Sequence, residues 1–404
     1  MQRATAEILI VGAGPSGAAA AHVLAAHGRD VLLVDRSTFP RDKVCGDALI
    51  PDALNALRCL GLDQRVSAES RPSSSVRVYA PHGRYVSADV DVGCIPRRRL
   101  DDLLLQAALA SGARIAPPYA LAQALEHQGT VVGATFASSD GADALTVHAH
   151  FTLLATGAAV RPLELFSVAQ RRSPSALAAR IYVRVPCDVA SKSQHFSISI
   201  DRAISPGYGW IFPGPDDVFN VGVGYFTDTT RSPPSTNLRT LLARFLASFA
   251  PARDLMSRAC SVSTVRGAPL RTALTGAALA RPGLLVIGEA AGLTYPFTGE
   301  GIGKAMESGI VAGEILARCT DASQSGRDEA ARRYAAAIRA RFDARFRAYR
   351  LAQRWLSRPA LSDFLAWRGT AGTYVGEQLR SLLLETADPR ALFSLGGVLR
   401  ALVK

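Results

Sequence analysis

The feature that most constrains the fold is a glycine-rich turn between two regular segments near the N-terminus. Residues 7–12 are a short apolar run, which is typical of a strand buried on both faces. Pro15 begins an alanine-rich segment with a helical pattern, since proline favours the first helical position. Gly12, Gly14 and Gly17 form the pattern G-x-G-x-x-G at this junction. A strand, this turn and a helix in that order predict a nucleotide-binding βαβ unit.

Each glycine of this turn has its own physical role. Gly12 permits the tight turn, and Gly14 has no side chain, so a pyrophosphate can approach the backbone. Gly17 allows the helix to pack closely on the strand. The pyrophosphate then lies at the helix N-terminus, where free N–H groups and the helix dipole favour anions. The predicted phosphate site therefore consists of Gly12, Gly14, Pro15, Ser16 and Gly17.

A second apolar run, residues 30–35, completes the βαβ unit and ends at Asp35. A carboxylate at this position can accept hydrogen bonds from both hydroxyl groups of an adenosine ribose. Arg36 and Arg41 follow in the chain, and we expect them to flank the adenine or the phosphates. The unit predicts a bound adenine dinucleotide, but this pattern alone does not distinguish FAD from NAD.

A later segment carries a second glycine pattern. Residues 284–288 are a buried strand in pattern, Gly288-Glu289-Ala-Ala-Gly292 continues from it, and residues 296–303 read Pro-Phe-Thr-Gly-Glu-Gly-Ile-Gly. This segment resembles the second flavin motif of the group A flavoprotein monooxygenases and their relatives, which usually reads G-D-A-A-G. The resemblance implies FAD as the cofactor. Glu289 stands where aspartate is usual, and we expect it to bind a ribitol hydroxyl group.

The end of this segment is expected to meet the flavin ring. Gly299, Gly301 and Ile302 begin a helix whose N-terminal N–H groups would point at the isoalloxazine. Reduced flavin carries negative charge near its N1 atom, and a helix N-terminus stabilises such charge by about 0.3–1 kcal/mol. Pro296 is expected beside the ring, and we count it among the catalytic residues.

Two shorter patterns extend the predicted cofactor site. Gly157 closes an A-T-G turn after an apolar strand, and in this class of flavoproteins such a turn ends the nucleotide domain. Arg97, with Asp101 behind it, resembles the R-x-x-L-D helix start that contacts the cofactor in these proteins. Arg98 and Arg99 are adjacent, so the sequence leaves open which arginine makes the contact, and a solvated run of charge is an equal interpretation for each.

Two further motifs narrow the resemblance to one family. Cys45 and Gly46 belong to a K-x-C-G segment, and Tyr208-x-Trp210-x-Phe212-Pro is followed by G-x-G. Together they resemble the geranylgeranyl reductase family, over most of the chain before the arginine-rich tail. The resemblance implies flavin-dependent reduction of isolated C=C bonds in prenyl chains or related lipids. It also implies that Cys45 lies near the isoalloxazine and that the three aromatic residues line an apolar substrate tunnel.

The residues themselves leave alternatives open. Alternation along a strand puts Tyr208, Trp210 and Phe212 on one face, which could hold an alkene or could be ordinary core. Cys45 could likewise be a buried inert thiol. For reduction of a C=C bond, Cys45, Tyr208 or an ordered water are candidates for the proton donor.

Three functions are compatible with these motifs. The leading hypothesis is reduction of a C=C bond by hydride from reduced FAD. The alternative is a monooxygenase that activates O₂ at the flavin and hydroxylates an aromatic or polyketide-type substrate, and the third is a flavin-binding scaffold or electron carrier. The W-x-W-x-I-P motif of the flavin-dependent halogenases is not matched, because position 208 is tyrosine and position 212 is phenylalanine. Since the sequence has no second G-x-G-x-x-G, NADPH, NADH or ferredoxin is expected to bind transiently as electron donor.

The chain of 404 residues is long enough for two compact domains and a tail. We predict an α/β fold, with an FAD-binding Rossmann-type domain of the glutathione-reductase-like kind, an inserted antiparallel β-sheet substrate domain and a C-terminal helical tail. The predicted ranges are 1–71, 97–158 and 269–326 for the FAD-binding domain, 72–96 and 159–268 for the substrate domain, and 327–404 for the tail.

Charge and cysteine content narrow the choice of partners. The net charge of +12 suits nucleic acid, an anionic membrane or an anionic ligand. No nucleic-acid-binding motif is present and FAD is itself a polyanion, so we expect a small hydrophobic substrate and no nucleic acid. The six cysteines form no CxxC pair and no metal-ligand spacing, so we expect free thiols, no metal and a cytoplasmic location. No apolar stretch reaches the roughly 18–20 residues of a membrane span.

The tail has two interpretations. Residues 327–358 are rich in arginine and carry an apolar stripe at helical spacing. We favour a helix that packs this stripe on the flavin domain and leaves its arginines in solvent. The alternative is an interfacial helix, which would give a peripheral contact with the inner membrane face through residues 327–404. The stripe consists of Tyr334, Ile338, Phe342, Phe346 and Tyr349. The oligomeric state stays unknown at this level.

Overall fold

The structure, a computed structural model, describes residues 2–138, 141, 143–170, 173–227, 237–356, 358–371, 373–394, 396–397 and 400. Its strands, numbered in chain order, are β1 (Gln2–Val11), β2 (Val31–Val34), β3 (Ala48–Leu49), β4 (Arg71–Tyr79), β5 (Tyr85–Cys94), β6 (Arg114–Ile115), β7 (Ala120–His127), β8 (Thr130–Ala137), β9 (Ala144–Leu154), β10 (Ala176–Arg184), β11 (Phe196–Ser199), β12 (Gly207–Pro213), β13 (Val218–Phe226), β14 (Ser261–Val262), β15 (Arg266–Leu270), β16 (Ala280–Arg281) and β17 (Leu284–Val286).

Its helices are α1 (Pro15–Ala26), α2 (Pro51–Cys59), α3 (Asp63–Glu69), α4 (Arg97–Ala110), α5 (Val160–Leu165), α6 (Cys187–Ala190), α7 (Leu238–Ser248), α8 (Ala250–Ser257), α9 (Ile302–Ala317), α10 (Gln324–Leu356), α11 (Pro359–Ala371) and α12 (Tyr374–Leu383). Three short 3₁₀ turns cover Arg202–Ile204, Gly288–Ala291 and Pro389–Ala391.

The apolar runs of the sequence meet in one sheet, which we call the flavin sheet. Its strand order is β16-β17-β9-β1-β2-β6, and β7 and β8 continue from β9 as an antiparallel pair. β1 pairs in parallel with β2 and with β9, and β17 pairs in parallel with β9. Parallel strands covered on both faces need apolar side chains on both faces, which explains the uninterrupted runs. The predicted α/β fold is confirmed.

The second sheet has the order β14-β10-β13-β12-β11-β4-β5-β3, with β15 also paired to β10. Its pairs are antiparallel except for β4 and β11, which run in parallel. In this pair, β4 comes from an early part of the chain and β11 from a later part. The predicted antiparallel sheet is therefore antiparallel with one parallel pair.

The division into domains stays a prediction. The ends of the two sheets do not coincide with the predicted domain boundaries. The second sheet reaches Leu49 through β3 and Leu270 through β15, outside the ranges assigned to it from the sequence. Leu163 of α5 belongs to the core under the flavin sheet, although it falls in the predicted substrate domain. The last predicted tail residues, 401–404, lie outside the described part of the chain.

Helix α10 packs its apolar stripe inside the molecule. Tyr334, Ile338 and Phe342 are fully buried, and all five stripe residues belong to the core cluster of the flavin sheet. The hydroxyl group of Tyr334 donates a hydrogen bond to the carbonyl oxygen of Val286 at 2.8 Å. The interfacial interpretation is wrong for these five side chains, because the flavin sheet covers them. Membrane contact by the rest of the tail is a separate question.

The remaining expectations concern thiols, metals and membrane spans. All six cysteines are free thiols. Within the described ranges, no group of His, Cys, Asp or Glu side chains has an arrangement that would hold a metal ion. In the same part of the chain, no helix combines the length and apolar character needed to cross a bilayer.

Candidate functional site

The glycine turn after β1 has the geometry of a phosphate site. Gly12 has φ +105°, and a Cβ atom there would lie 2.5 Å from the carbonyl oxygen of Ala155. A Cβ atom on Gly17 would lie 1.9 Å from the carbonyl oxygen of Gly12. Gly14 is different, because a Cβ atom there would meet only the Arg41 guanidinium at 3.5 Å. Gly12 and Gly17 therefore allow close packing, whereas Gly14 keeps the approach to the N-terminus of α1 open.

Asp35 at the end of β2 is held rigidly. Its Oδ2 accepts a hydrogen bond from the backbone N–H of Ala13 at 2.8 Å, and its Oδ1 accepts one from Ser37 at 2.9 Å. These bonds connect the acidic residue directly to the glycine turn. A carboxylate still has lone pairs for ribose hydroxyl groups, so the geometry is compatible with the predicted role.

One cavity of about 1100 Å³ brings the predicted site residues together. This volume is at or above the upper end of ordinary ligand pockets, which leaves room for a dinucleotide and a second molecule. The predicted residues that line it are Gly12, Gly14, Pro15, Ser16, Asp35, Arg36, Cys45, Gly46, Arg97, Gly157, Tyr208, Trp210, Phe212, Glu289, Gly299, Gly301 and Ile302.

Three predicted residues lie behind the wall of this cavity. Gly17 is buried where α1 packs against Gly12 and Ala155. Gly288 has φ +63°, and a Cβ atom there would lie 2.6 Å from the Oγ of Ser16, so it allows the second motif to pack on α1. Pro296 is buried and is not among the cavity-lining residues, whereas Phe297 and Thr298 after it are. The turn directs the two following residues to the cavity, and the position of Pro296 beside the ring stays a prediction.

Glu289 lies on the wall near the first glycine turn. Its Oε2 is 3.4 Å from the ammonium group of Lys43, and its Oε1 accepts a hydrogen bond from the backbone N–H of Arg271 at 3.3 Å. The longer side chain is accommodated by these two contacts. Nearby, the hydroxyl group of Thr156 is buried without a hydrogen-bond partner among the described residues. A ligand hydroxyl or phosphate oxygen would satisfy such a group.

The glycine turn before α9 meets the aromatic strand. Gly299 has φ +70°, and a Cβ atom there would lie 2.6 Å from the hydroxyl oxygen of Tyr208. This hydroxyl group donates a hydrogen bond to the carbonyl oxygen of Thr298 at 2.6 Å. Residues 90 positions apart in the chain are thereby in contact. Gly301 and Ile302 at the start of α9 line the same cavity, and a helix N-terminus there would favour a negatively charged ligand.

The three aromatic residues of β12 share one face and line the cavity. The ring centroids of Tyr208 and Trp210 are 5.9 Å apart, and those of Trp210 and Phe212 are 6.2 Å apart. Gly222 and Gly224 lie opposite on β13, where a Cβ atom would be 2.3 Å from the Trp210 ring and 3.2 Å from the Tyr208 ring. The G-x-G pattern therefore allows the rings to lie over the neighbouring strand. Trp210 and Phe212 are buried in a core cluster, and the half-buried Tyr208 packs against it. All three also line the cavity, and a role in holding a substrate stays a prediction.

The Cys45–Gly46 loop packs against this strand through a buried network that the sequence did not predict. Asp47 is fully buried, and its Oδ2 accepts hydrogen bonds from Tyr182 at 2.7 Å and from Asn220 at 2.8 Å. Asn220 also donates to the carbonyl oxygen of Cys45 at 2.8 Å and accepts from the indole N–H of Trp210 at 2.8 Å. Burial raises the pKa of Asp47 to about 6 against the opposing effect of these donors.

The positions of Asp47 and Asn220 in the sequence could have indicated this network. Asp47 follows the K-x-C-G motif directly, and Asn220 begins the segment that contains G-x-G. A polar residue next to each motif, in otherwise apolar surroundings, is a candidate for a buried hydrogen bond. The network fixes the Cys45 loop, and the half-buried Cys45 lines the cavity.

The structure decides among the three arginines at the start of α4. Arg97 is buried and makes two hydrogen bonds to Asp101, at 2.6 and 2.7 Å. Arg41 also contacts Asp101 at 3.1 Å. Arg98 and Arg99 are exposed. Arg97 is therefore the arginine of the R-x-x-L-D pattern that lines the cavity.

Away from the glycine turns the cavity becomes apolar. Some lining residues of this part belong to the second sheet and others to the C-terminal region, which the sequence did not assign to the site. The apolar lining residues are Val76, Val78, Val86, Phe196, Ile198, Leu365, Leu379, Leu382, Leu383, Leu392 and Phe393. FAD fits the end with the two glycine turns, because that end offers a phosphate site, a ribose acceptor and a helix N-terminus.

Comparison with known proteins agrees with this geometry. The FAD binding domain family matches residues 5–344. Menaquinone reductase of Mycobacterium tuberculosis (strain ATCC 25618 / H37Rv) is 33% identical over 324 residues, which cover 77% of this chain and 76% of that protein. Digeranylgeranylglycerophospholipid reductase of Methanoculleus marisnigri is 30% identical over 335 residues, or 80% of this chain and 79% of that protein.

Solved structures show the same fold. A geranylgeranyl bacteriochlorophyll reductase-like protein from Thermoplasma acidophilum superposes with a TM-score of 0.78 at 20% identity, over 100% of this chain and 96% of that one. The flavin-dependent brominase Bmp2 superposes with a TM-score of 0.74 at 19% identity, over 99% and 98%. The cofactor is FAD, and the protein is a flavin-dependent oxidoreductase. The chain belongs to the geranylgeranyl reductase family of FAD-binding enzymes.

Proposed function

We propose that this enzyme reduces C=C bonds of a prenyl chain or a related lipid. The observation that carries the proposal is the continuity of one cavity, from the glycine turn at Gly299 to an apolar end between the second sheet and the C-terminal helices. Each methylene group buried there contributes about 0.8 kcal/mol to binding. A polar substrate without a hydrocarbon chain would gain no binding free energy from this apolar surface.

In this proposal, one set of cavity-lining residues binds the cofactor and another binds the substrate. The first glycine turn and Asp35 would bind the dinucleotide, and the N-terminus of α9 would stabilise negative charge on its ring system. Tyr208, Trp210 and Phe212 hold an alkene against that ring by apolar contact, and their rigid packing limits its orientation. When bound and reduced, FAD supplies hydride. Burial of these rings excludes water from the reacting bond.

The relatives support the same substrate class. One is named for the reduction of a menaquinone and another for the reduction of a digeranylgeranylglycerophospholipid. We propose that the substrate of this chain shares their long hydrocarbon character. The electrons are proposed to come from NADPH, NADH or ferredoxin that binds transiently, since the sequence contains a single G-x-G-x-x-G.

The test is a reaction without oxygen. Purified holoenzyme is reduced anaerobically with each candidate donor, and a prenylated quinone or a geranylgeranyl lipid is then added. We expect reoxidation of the flavin without oxygen, and a product that has gained two hydrogens by mass spectrometry. Reoxidation that needs O₂, with a product that has gained an oxygen atom, would instead support the monooxygenase alternative and contradict the proposal.

We also propose a peripheral membrane contact through the tail. Trp367 on α11 is 44% exposed, and the Arg368 guanidinium lies 5.4 Å from its ring centroid. Ser362 and Leu365 on the same helix line the cavity, so a lipid arriving there would be close to the apolar end. Aromatic and arginine side chains together favour the headgroup region of an anionic bilayer.

A flotation assay with anionic liposomes tests this contact. The variants are made in the full chain, because removal of residues 327–404 would delete the buried stripe of α10 and expose the core of the flavin sheet that it covers. We expect W367A and R368E to float less than the unchanged protein, with FAD content unaltered. Equal flotation of all three would contradict the proposal.

A further inference from the structure

Reduction of a C=C bond requires a proton as well as a hydride, and the cavity offers few donors. The hydroxyl group of Tyr208 already donates to the carbonyl oxygen of Thr298, and burial raises its pKa, so it is a poor acid. The indole N–H of Trp210 is bonded to Asn220. The Cys45 thiol is half-buried on the same wall. The hydroxyl group of Tyr208 and the indole of Trp210 are therefore unsuited to deliver the proton, and a stronger acid on the cavity wall would be a better donor.

Glu300 has the position that such a donor needs. It lies between Gly299 and Gly301, directly before α9, and it lines the cavity. Its Oε2 is buried and has no hydrogen-bond partner within the described residues. A buried carboxylate oxygen without a donor is costly, whereas a protonated carboxyl group in the same place can donate to a ligand.

The surroundings of Glu300 contain more acid than base. Lys304 lies below it on α9, and its ammonium group contacts Asp52 at 3.3 Å, Glu307 at 3.0 Å and Glu385 at 2.7 Å. This single buried cation is already shared by three carboxyl groups. Glu300 has no ion pair of its own in the described part of the molecule.

The charges that face Glu300 come from every element around it. Burial raises the pKa of Glu300 well above its ordinary value, and the charges of Asp52 on α2 and Glu385 after α12 raise it further. The ammonium group of Lys304 and the hydroxyl group of Thr298 oppose the shift. Tyr208 of β12 and Tyr349 of α10 also interact with it, and both are neutral. Together these surroundings hold the pKa of Glu300 well above its ordinary value, which favours the protonated carboxyl group.

We propose that Glu300 is the acid that delivers the proton in the reduction, an inference that rests on the proposed function above. Hydride from the reduced cofactor forms a C–H bond at one alkene carbon. The O–H bond of Glu300 breaks, and its proton forms a C–H bond at the other carbon. The π bond is lost, the cofactor is oxidised by two electrons, and the carboxylate then takes a proton from water.

The experiment compares E300Q, E300D and E314Q with the unchanged holoenzyme. Glu314 is an exposed residue on the same helix and serves as the matched control. Anaerobic single turnovers with a prenylated quinone are followed across pH, and FAD content and lipid affinity are measured separately. We expect E300Q to lower the rate of alkene reduction by about 10²- to 10⁴-fold, the usual contribution of a general acid. E300D should restore part of the rate with a shifted pH profile, and E314Q should behave as the unchanged protein.

A second measurement does not depend on turnover. Infrared spectroscopy of the protein should show the carbonyl stretch of a protonated buried carboxyl group at neutral pH, and E300Q should remove this band. The proposal is overturned if E300Q reduces the alkene at the unchanged rate, or if the band persists in E300Q. If the unchanged enzyme reduces no prenyl lipid, the proposed function itself fails and the proton-transfer role falls with it, whatever the infrared result.

Discussion

At the residue scale, the contact between Gly299 and Tyr208 joins the two halves of the site. A Cβ atom on Gly299 would fall 2.6 Å from the Tyr208 hydroxyl oxygen, so only glycine allows the turn and the strand to meet. The positive φ of +70° adds a second reason. A side chain at this position would have to displace either the tyrosine or the helix start.

A comparison of G299A with G28A separates the steric contact with Tyr208 from the backbone strain of a positive φ. Gly28 has a similar φ of +74° and nothing within 4 Å of a Cβ atom, so G28A introduces only the backbone strain. We expect G28A to lower the free energy of unfolding by about 1 kcal/mol and to leave FAD affinity unchanged. G299A should destabilise the protein more and also weaken FAD binding. Urea unfolding and flavin fluorescence titration measure both, and equal behaviour of the two variants would contradict the role of the contact.

Asp47 gives the site a pH dependence of defined sign. Its pKa is about 6 in the folded protein, against an ordinary value of 3.8, so the folded state binds this proton more tightly than the unfolded state. The contribution of the Asp47 proton to the free energy of unfolding is fully present below about pH 4 and is lost as pH rises through about pH 6. At neutral pH, we expect the free energy of unfolding to be about 3 kcal/mol lower than below about pH 4 because of this group.

The variant D47N has no group that titrates at this position. The free energy of unfolding of the unchanged protein should therefore fall relative to that of D47N between about pH 4 and pH 6. Urea unfolding at a series of pH values measures this difference. A difference that stays constant over the interval would show that Asp47 is ionised throughout.

At the element scale, helix α12 forms part of the apolar wall. Leu379, Leu382 and Leu383 line the cavity, whereas Glu377 on the same helix is exposed. The helix lies against β5 of the second sheet, which also contributes Val86 to the cavity wall. This arrangement predicts that α12 sets the length of chain that the cavity accepts.

The substitution L379W tests this by filling the apolar end. We expect it to raise KM for a long prenyl substrate and to affect a short one less, because only the long chain needs the filled volume. Anaerobic flavin reduction by the electron donor should be unchanged. E377W places the same side chain on the outer face and is the control. Equal loss with long and short substrates would contradict the proposed place of the lipid.

At the scale of the whole molecule, Lys304 connects distant parts of the chain. Its fully buried ammonium group contacts α2 through Asp52, its own helix through Glu307, and the segment after α12 through Glu385. Glu385 in turn pairs with Arg345 of α10. Burial alone would lower the pKa of Lys304, but the three carboxyl groups outweigh it and raise the pKa.

Removal of this cation should destabilise the whole fold. We expect K304M to cost about 3–5 kcal/mol at neutral pH, because the buried Asp52 and the half-buried Glu307 and Glu385 lose their shared cation. The cost should be smaller in mild acid, where those groups can take up protons. K192M removes an exposed lysine, 77% accessible, and should change the free energy of unfolding by less than about 1 kcal/mol. Urea unfolding of both variants at two pH values measures this, and a loss for K304M that does not depend on pH would be inconsistent with the explanation.

Local patterns were sufficient for the parallel strands of the flavin sheet, the glycine turn with Asp35 and the aromatic face of β12. Each depends on spacing within a few residues, because strand and helix periods and the conformational freedom of glycine are properties of the local chain. The FAD family followed from motifs of the same kind. The sequence by itself therefore determined the fold class and most of the cavity-lining residues at the flavin end.

Only the tertiary structure decided which arginine faces the cavity, that Pro296 lies behind its wall, and that the C-terminal helices form the apolar end. The same holds for Asp47 and Glu300, whose chemistry arises from burial and from partners far away in the chain. Desolvation and ion pairing depend on which elements meet, and no local pattern contains that information. Lys304 shows this most directly, because its partners Asp52 and Glu385 come from opposite ends of the sequence.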